Sequence, residues 1–334
     1  MIKRLAVLTS GGDSPGMNPA VRAITRAGIN QNLEVIGIQN GYRGIFDDEF
    51  VELDTLKVSG KIRDSGTFLC TSRCREMMEP GGPQKAVDIL TRKKVDALCV
   101  IGGDGSLTGA YEITKLGFPV IGLPGTIDND LFGTDIAIGV DTCLNGIIEM
   151  VDMIKATASS HRRCFVVEVM GRNSGYLAMM STITTGSQVA VIPEYRLNME
   201  HILNALNRRI RRKHHNSVVI VAEGVSTGAA FQEQLEAERH THPEFNQEIR
   251  LTALGHIQRG GTPSHFDRLL ASRMGEFAVL ALTQGESGCM VASVGGKMQL
   301  RDFDQILGRR KDLPADAIRL ARNLDIEFGE TVEL

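Results

Sequence analysis

The chain has 334 residues, of which 42% are hydrophobic and 23% charged, and its formal net charge is −3. This length suits one large or two medium domains, and the charge gives no indication of a nucleic-acid partner. No stretch approaches the ~18 apolar residues of a membrane-spanning helix, and the first ten residues are too weakly apolar for a signal peptide. The six cysteines are scattered without a CxxC pair, so we expect reduced thiols in a cytoplasmic protein.

In chain order, short runs rich in Val, Ile and Leu alternate with helical patterns. The predicted strands are residues 4–8, 33–38, 95–101, 119–123, 164–169, 189–192 and 218–221, and the predicted helices include 18–31, 83–92, 141–156 and 199–213. Most strand runs are apolar without alternation, as in strands covered on both faces. The pattern predicts an α/β protein of the doubly wound class with mainly parallel sheets, and no linker marks a domain boundary.

Nearly every predicted strand ends in a small polar or glycine-rich tail. The five tails are residues 11–13, 102–106, 125–130, 170–172 and 223–224. In open α/β sheets, ligands bind beyond the carboxyl ends of the strands. We therefore expect the five tails to meet at one sheet edge and to form a single composite site.

Two of these tails contain Gly-Gly-Asp and lead from a strand into a helix. Glycines at such a turn let backbone N–H groups approach phosphate oxygens, although a tight turn without a ligand is the alternative. Neither tail is a Walker loop, because no GKS or GKT follows. Asp104 in the second tail is a candidate Mg²⁺ ligand, and its alternative role is a helix N-cap.

The segment PGTIDND at 124–130 is the most specific stretch of the chain. Its spacing predicts that Asp128 and Asp130 lie on the same side of an extended loop, as a carboxylate pair near one reacting centre. A hydroxyl that attacks phosphorus must lose its proton, so one carboxylate is a candidate base and the other orients metal or water. The alternative is a surface Asx-turn.

Several charged residues are candidates for binding a phosphorylated substrate. The candidate cations are Arg73, Arg163, Arg172, Arg250 and Arg259, and of these Arg172 and Arg259 stand beside glycines. His256 is a candidate for contact with phosphate or sugar, and a structural, hydrogen-bonded role is equally consistent. Glu223 at the end of an apolar strand needs a partner such as a sugar hydroxyl, and a helix-terminus or salt-bridge role is the alternative. The basic run 208–215 favours a helix C-terminus over a nucleic-acid site.

Five motifs together resemble the bacterial 6-phosphofructokinase family. They are TSGGDSPGMN (9–18), IGGDGS (101–106), PGTIDND (124–130), VEVMGR (167–172) and LGHIQRGG (254–261). The resemblance implies transfer of the ATP γ-phosphoryl group to O1 of fructose 6-phosphate, with Mg²⁺, in a homotetramer. It also implies two similar Rossmann-like domains with the active site in the cleft between them: 1–139 plus 250–300 for the nucleotide, and 140–249 plus 301–334 for the sugar phosphate.

The resemblance assigns roles to individual residues. Asp128 is implied as the general base, assisted by Thr126, Asp130 and Arg172, and Asp104 as the metal ligand. The ATP-binding residues implied are Gly12, Arg73, Cys74, Gly103, Asp104, Gly105 and Ser106. The sugar-phosphate residues implied are Thr126, Asp128, Met170, Gly171, Arg172, Glu223, His256 and Arg259, with Arg163 and Arg250 reaching a neighbouring subunit's site.

The resemblance also bears on the donor and on regulation. Pyrophosphate-using relatives carry aspartate and lysine where Gly105 and Gly125 stand, so these glycines favour ATP. In the family's pocket for ADP or phosphoenolpyruvate, Arg22 and Arg26 match, with Lys155 and Arg212 as further candidates. Thr55, Lys155 and Gln188 replace two arginines and an acidic residue, so we expect altered regulation. The alternatives are a pyrophosphate-dependent enzyme, another GGDG-loop kinase such as an NAD kinase, and a catalytically silent binding protein.

Overall fold

The computed structural model describes residues 2–196, 198–213 and 216–331. Its strands are β1 (Arg4–Ser10), β2 (Glu34–Ile38), β3 (Phe50–Leu53), β4 (Ala97–Gly102), β5 (Val120–Pro124), β6 (Arg163–Val169), β7 (Val189–Val191), β8 (Tyr195–Arg196), β9 (Ser217–Ala222), β10 (Glu248–Ala253), β11 (Cys289–Val294), β12 (Lys297–Asp302) and β13 (Glu330–Thr331). Its α-helices are α1 (Met17–Asn30), α2 (Arg43–Phe46), α3 (Gly82–Arg92), α4 (Asp104–Thr114), α5 (Val140–His161), α6 (Tyr176–Thr185), α7 (Met199–Arg211), α8 (Gly228–Glu238), α9 (His265–Thr283), α10 (Phe303–Ile306) and α11 (Ala315–Asn323). Short 3₁₀ helices cover Lys61–Arg63, Glu76–Met78, Arg239–Thr241 and Gly255–Arg259.

The larger sheet has seven strands in the order β12-β11-β5-β4-β1-β2-β3. Its five inner strands are parallel, and β3 and β12 pair antiparallel at the two edges. Alternate residues of β1 enter two different core clusters: Leu5 and Val7 pack with α1 and α9, and Ala6 and Leu8 pack with α3 and α4. The uninterrupted apolar runs predicted from sequence are therefore strands covered by helices on both faces.

A second sheet of four strands has the order β10-β6-β9-β7, and all its pairs are parallel. Cys164 and Val166 on β6 share a buried cluster with Ile202 and Leu206 of α7. The basic run at the end of α7 lies in the last helical turn, as predicted from the sequence, and its two histidines, 214 and 215, lie outside the described residues. A two-stranded ladder joins β8 and β13.

The chain divides into two compact units, each formed by several segments. The first unit is Met1–Ile127, Leu131–Thr142 and Arg259–Lys311, and the second is Asp128–Asp130, Cys143–Gln258 and Asp312–Leu334. These bounds differ from the predicted ones mainly at 250–258 and 301–311. Residues 250–258 fall in the second unit because β10 pairs with β6.

All seven predicted strands and the four predicted helices are present, each within a few residues of its predicted bounds except α5, which extends to His161. The six cysteines are free thiols, four of them buried. In the described part of the chain, no helix is long and apolar enough to cross a membrane.

Candidate active site

Three of the five tails follow neighbouring strands of the larger sheet. β4 lies between β1 and β5, so residues 11–13, 102–106 and 125–127 emerge side by side at its carboxyl edge. The N–H of Gly125 donates to the carbonyl of Gly102 (3.0 Å), and a Cβ added at Gly11 would lie 3.1 Å from Ser106 Oγ. The two glycine-rich loops and the start of the aspartate loop are therefore immediate neighbours. The other two tails follow β6 and β9 of the second sheet, so the expectation of one shared sheet edge is wrong.

Asp104 is the first residue of α4, and Gly103 is its N-cap. The side chain of Asp104 is exposed and makes no capping hydrogen bond, so the N-cap alternative is wrong. An exposed carboxylate beside the N–H groups of a helix terminus fits the way Mg²⁺ is held together with nucleotide phosphates, by one or two carboxylates and phosphate oxygens. No group of three or more potential ligands that could hold a metal by itself occurs among the described residues.

Tyr42 holds the second glycine loop by a hydrogen bond to its backbone, a contact that the sequence did not predict. Its hydroxyl donates a 2.7 Å hydrogen bond to the backbone carbonyl of Ser106. The ring is 5% exposed, and burial raises the pKa of this hydroxyl far above its usual value, so it remains a neutral donor. Nothing in the local sequence around Tyr42 signals this contact, which joins residues 64 positions apart.

The segment before α3 approaches the first glycine loop. Thr71 Oγ1 donates to the carbonyl of Gly11 (2.9 Å), which places Arg73 and Cys74 two and three residues from that contact. Arg73 is exposed, as a residue that binds an anionic ligand must be. Cys74 is half-buried 3.6 Å from Glu76, and burial raises the pKa of its thiol, so it acts as a small packing residue and not as a thiolate.

The aspartate loop after β5 is buried. Asp128 is 7% exposed and Asn129 is 2% exposed, with Asn129 in the left-handed region at φ 50°. A surface Asx-turn is therefore the wrong interpretation of this segment. The far end of the loop is held by Asp267, whose carboxylate accepts the N–H groups of Gly139 (2.9 Å) and Thr142 (2.8 Å) at the start of α5.

Arg259 packs on the first glycine loop within the first unit. Its Nη1 donates to the backbone carbonyl of Asp13 (3.0 Å), and its guanidinium fills the space that a side chain at Gly12 would need. The structure thus brings Arg259 together with the predicted nucleotide residues. Its predicted contact with the sugar phosphate stays a prediction.

In the second unit, three candidate segments follow the adjacent strands β10, β6 and β9. Arg172 has a left-handed backbone at φ 53°, and its N–H donates to Glu223 Oε1 (3.0 Å). Glu223 is exposed, so the burial cost inferred from its apolar strand does not arise. Met170 and Gly171 precede Arg172 at the end of β6. These predicted residues lie together at one sheet edge.

Gln258 joins this group, although sequence reasoning did not select it. It is 1% exposed, its Oε1 accepts the N–H of Met170 (3.1 Å), and its Nε2 donates to the carbonyl of Gly255 (3.0 Å). It therefore fixes the 3₁₀ helix that carries His256 against the end of β6. His256 itself is exposed. The signal was present in the sequence, because Gln258 lies inside the segment LGHIQRGG.

Arg163 and Arg250 lie elsewhere in the second unit. Arg163 is the first residue of β6, six residues before Val169, and Arg250 belongs to the neighbouring strand β10. At about 3.3 Å per residue, Arg163 is roughly 20 Å along the strand from the carboxyl edge. The structure does not bring these two arginines together with Met170–Arg172 of the same chain.

The predicted effector residues fall into two groups. In the first unit, Arg22, Arg26 and Thr55 line a pocket of about 670 Å³ together with Arg273 and Glu276. In the second unit, the Lys155 ammonium group donates to the carbonyl of Thr185. Its pKa is lowered mainly by burial and in addition by the nearby positive charge of Arg209. Arg212 forms an exposed ion pair with Asp325 (3.2 Å).

Comparison with known proteins identifies the family. A model of the phosphofructokinase family matches residues 4–282. The ATP-dependent 6-phosphofructokinase of Bacillus pumilus is 45% identical over 325 residues, covering 97% of this chain and 100% of the relative.

Two solved structures are similar to the whole chain. Phosphofructokinase from Saccharomyces cerevisiae has a TM-score of 0.85 at 34% identity, covering 96% of this chain and 50% of the yeast chain, so this chain spans half of that protein. The pyrophosphate-dependent phosphofructokinase from Marinobacter aquaeolei has a TM-score of 0.84 at 19% identity, covering 100% of this chain and 94% of that one, and shows the fold alone. This chain belongs to the phosphofructokinase family.

Proposed function

We propose that this protein is an ATP-dependent 6-phosphofructokinase, which transfers the γ-phosphoryl group of ATP to O1 of fructose 6-phosphate in glycolysis. The products are fructose 1,6-bisphosphate and ADP. The observation that carries the proposal is the alignment of three loops at neighbouring strand ends. These loops supply the backbone amides of the glycines, together with Asp104 and Asp128. The proposal also draws on the 45% identity of the chain to the ATP-dependent 6-phosphofructokinase of Bacillus pumilus.

The first unit holds the nucleotide in this proposal. Gly12, Gly103, Gly105 and Ser106 offer backbone N–H groups, and the N-terminus of α4 favours the phosphate charge. Tyr42 keeps this loop in position through Ser106. Arg73 and Cys74 complete the nucleotide side, where the small thiol replaces the aromatic residue of many relatives.

Asp104 would hold Mg²⁺ together with the nucleotide phosphates. When bound, the ion supplies positive charge to the phosphoryl oxygens during transfer. The exposure of Asp104 and its position at the helix start support this assignment.

Asp128 takes the proton from the attacking 1-hydroxyl group. Its burial supports this role, since a base that is withdrawn from bulk water has a fixed orientation and a strengthened interaction with its substrate. Thr126 and Asp130 flank it, and Arg172 stabilises the charge on the transferring group. The sugar phosphate is held by Met170, Gly171, Glu223 and His256. Gln258 fixes the backbone of Met170, and Glu223 fixes that of Arg172.

Arg163 and Arg250 serve the active site of a neighbouring subunit. Arg163 lies roughly 20 Å, and Arg250 roughly 10 Å, along its strand from the carboxyl edge of the sheet, and these positions support the assignment. Catalysis then depends on an assembled oligomer, and a homotetramer is the state implied by the family resemblance.

ATP is the donor in this proposal. Nothing lies within 4 Å of a Cβ added at Gly105, so the loop is open where pyrophosphate-using relatives carry an aspartate. Gly125 is surrounded by Ile101, Met17 and Gly102, so a lysine at that position would have to displace its neighbours.

The test is a steady-state assay of phosphoryl transfer to fructose 6-phosphate, with either ATP or pyrophosphate as the donor. A parallel assay replaces fructose 6-phosphate by NAD as the acceptor, with ATP as the donor. We expect turnover with ATP and fructose 6-phosphate alone. Asp128→Asn should lower kcat by about 10²- to 10⁴-fold while both ligands still bind. Asp88→Asn, an exposed aspartate on α3, is the matched control and should keep full activity. Turnover with pyrophosphate or NAD, or none with any pair, would contradict the proposal.

A further inference from the structure

One carboxylate joins the two arginines at the amino edge of the four-stranded sheet. Glu248 lies directly opposite Arg163 in the parallel pair of β10 and β6. Arg250 is two residues further along β10, so its side chain leaves the same face of the strand as Glu248. Glu248 Oε2 accepts from Arg163 Nε (2.6 Å), and Glu248 Oε1 pairs with Arg250 Nη2.

The geometry of this triad is that of two guanidinium groups bound to one anion. Each carboxylate oxygen is used by a different arginine, which is also how two arginines share a phosphate group. Glu248 neutralises only one of the two positive charges. The triad therefore keeps a net charge of +1 and still attracts a phosphate dianion.

The two ion pairs are weak enough to be displaced. The side chains of Glu248 and Arg250 are 50% and 51% exposed and that of Arg163 is 28% exposed, so water reaches both ion pairs, the one with Arg250 more freely. Exposed pairs of this kind contribute little to folding stability. A phosphate dianion carries more charge than a carboxylate, and it forms stronger hydrogen bonds with both guanidinium groups.

We propose that Glu248 is an internal competitor for the phosphate group of the sugar substrate. It occupies Arg163 and Arg250 in the absence of substrate and must be displaced, or repelled at close range, when the phosphate binds. The inference rests on the proposed function, in which these two arginines bind fructose 6-phosphate. Glu248 thereby sets the affinity for the sugar phosphate without touching the reacting atoms.

The test is Glu248→Gln, which keeps the shape of the side chain and removes its charge. We expect the KM for fructose 6-phosphate to fall by roughly three- to tenfold, since one exposed and one partly buried ion pair are lost from the unliganded state. The KM for ATP should stay unchanged and kcat should change by less than about twofold. Glu244→Gln is the matched control: it removes an equally exposed partner, that of Arg211, in the same unit and should leave all three constants unchanged.

A double-mutant cycle separates this inference from the proposed function. Arg163→Ala and Arg250→Ala should each raise the KM for fructose 6-phosphate, and Glu248→Gln should have a smaller effect in either background than in the wild type. If the arginine variants leave this KM unchanged, the proposed function is wrong about these residues. If they raise it but Glu248→Gln leaves it unchanged or raises it, only the competitor role is overturned. A melting temperature that falls in Glu248→Gln together with a higher KM would likewise assign Glu248 a purely structural role.

Discussion

Arg259 and Asp13 are 246 positions apart in the chain, yet Arg259 Nη1 donates a 3.0 Å hydrogen bond to the backbone carbonyl of Asp13. The same guanidinium covers Gly12, which has no side chain to obstruct it. The first glycine loop is therefore held by an arginine from the segment that also carries His256 and Gln258. Any change that moves this guanidinium should affect the loop that we propose binds phosphate.

Gly12→Ala tests this relationship. Its Cβ would overlap Arg259 Nη1, which is the far end of a flexible side chain, so the protein should fold while Arg259 is displaced. We expect kcat/KM to fall by about 10- to 100-fold, because misplacing a binding loop by 1 Å is costly to catalysis. Gly146→Ala on α5 meets only Met150 Cε at 3.8 Å and is the control that should keep full activity. Equal activity of the two variants in a coupled assay would show that Arg259 does not hold the loop.

Gly224→Ala should damage the sugar-phosphate side selectively. A Cβ at Gly224 would overlap the backbone carbonyl of Arg172, and backbone cannot rotate away as a side chain does. The expected result is a KM for fructose 6-phosphate raised at least about tenfold, together with a loss of about 1–3 kcal/mol in unfolding free energy. The KM for ATP should remain at the wild-type value. Denaturant unfolding and steady-state kinetics measure both effects, and a parallel rise of both KM values would argue against a separate sugar-phosphate site.

Gly105→Asp examines the choice of donor. The open space around Gly105 means that the variant should fold with an unchanged melting temperature. The new carboxylate would stand beside Asp104 at the start of α4 and repel the inner phosphates of ATP. We expect kcat/KM for ATP to fall by at least about 100-fold, equivalent to 2.7 kcal/mol. Unchanged use of ATP would show that Gly105 does not face the nucleotide.

The pocket around Arg22 and Arg26 bears on regulation. Thr55 lines this pocket at a position where the resemblance to the family implies an arginine, and Glu276 adds a negative charge. We expect saturation curves for fructose 6-phosphate to respond weakly to ADP and phosphoenolpyruvate. Thr55→Arg should increase the response by about 5-fold or more, the lower range of allosteric coupling. A strong wild-type response to both effectors would contradict the expectation.

Mixing two variants that are each nearly inactive at a fructose 6-phosphate concentration far below the raised KM of Arg250→Ala tests whether the active site is shared between chains. Asp128→Asn and Arg250→Ala chains, co-expressed, should recover about a quarter of wild-type activity if each site takes Asp128 from one chain and Arg250 from another, since random pairing restores one site in four. If the two variants are expressed separately and then mixed under conditions in which subunits do not exchange, the mixture should show no recovery of activity. No recovery in verified hybrids would place both residues in the same chain's site.

The sequence alone determined the strand positions, the two glycine loops and the aspartate loop. An apolar run without alternation indicates, from neighbouring residues alone, a strand that is buried on both faces. Glycine and aspartate at the end of such a strand indicate in the same way a place where a ligand binds. For the same reason the helix-terminal basic run in α7 was predictable. These features depend on residues that are close together in the chain.

Only the tertiary structure decided which strand ends are neighbours. The five tails divide between two sheets, because β6 pairs with β10 and β9 and neither β6 nor β9 pairs with β5. The contacts of Arg259 with Asp13, of Tyr42 with Ser106 and of Glu248 with Arg163 join residues 246, 64 and 85 positions apart. Strand order and such contacts arise from the packing of distant segments, which leaves no periodic trace in the local sequence.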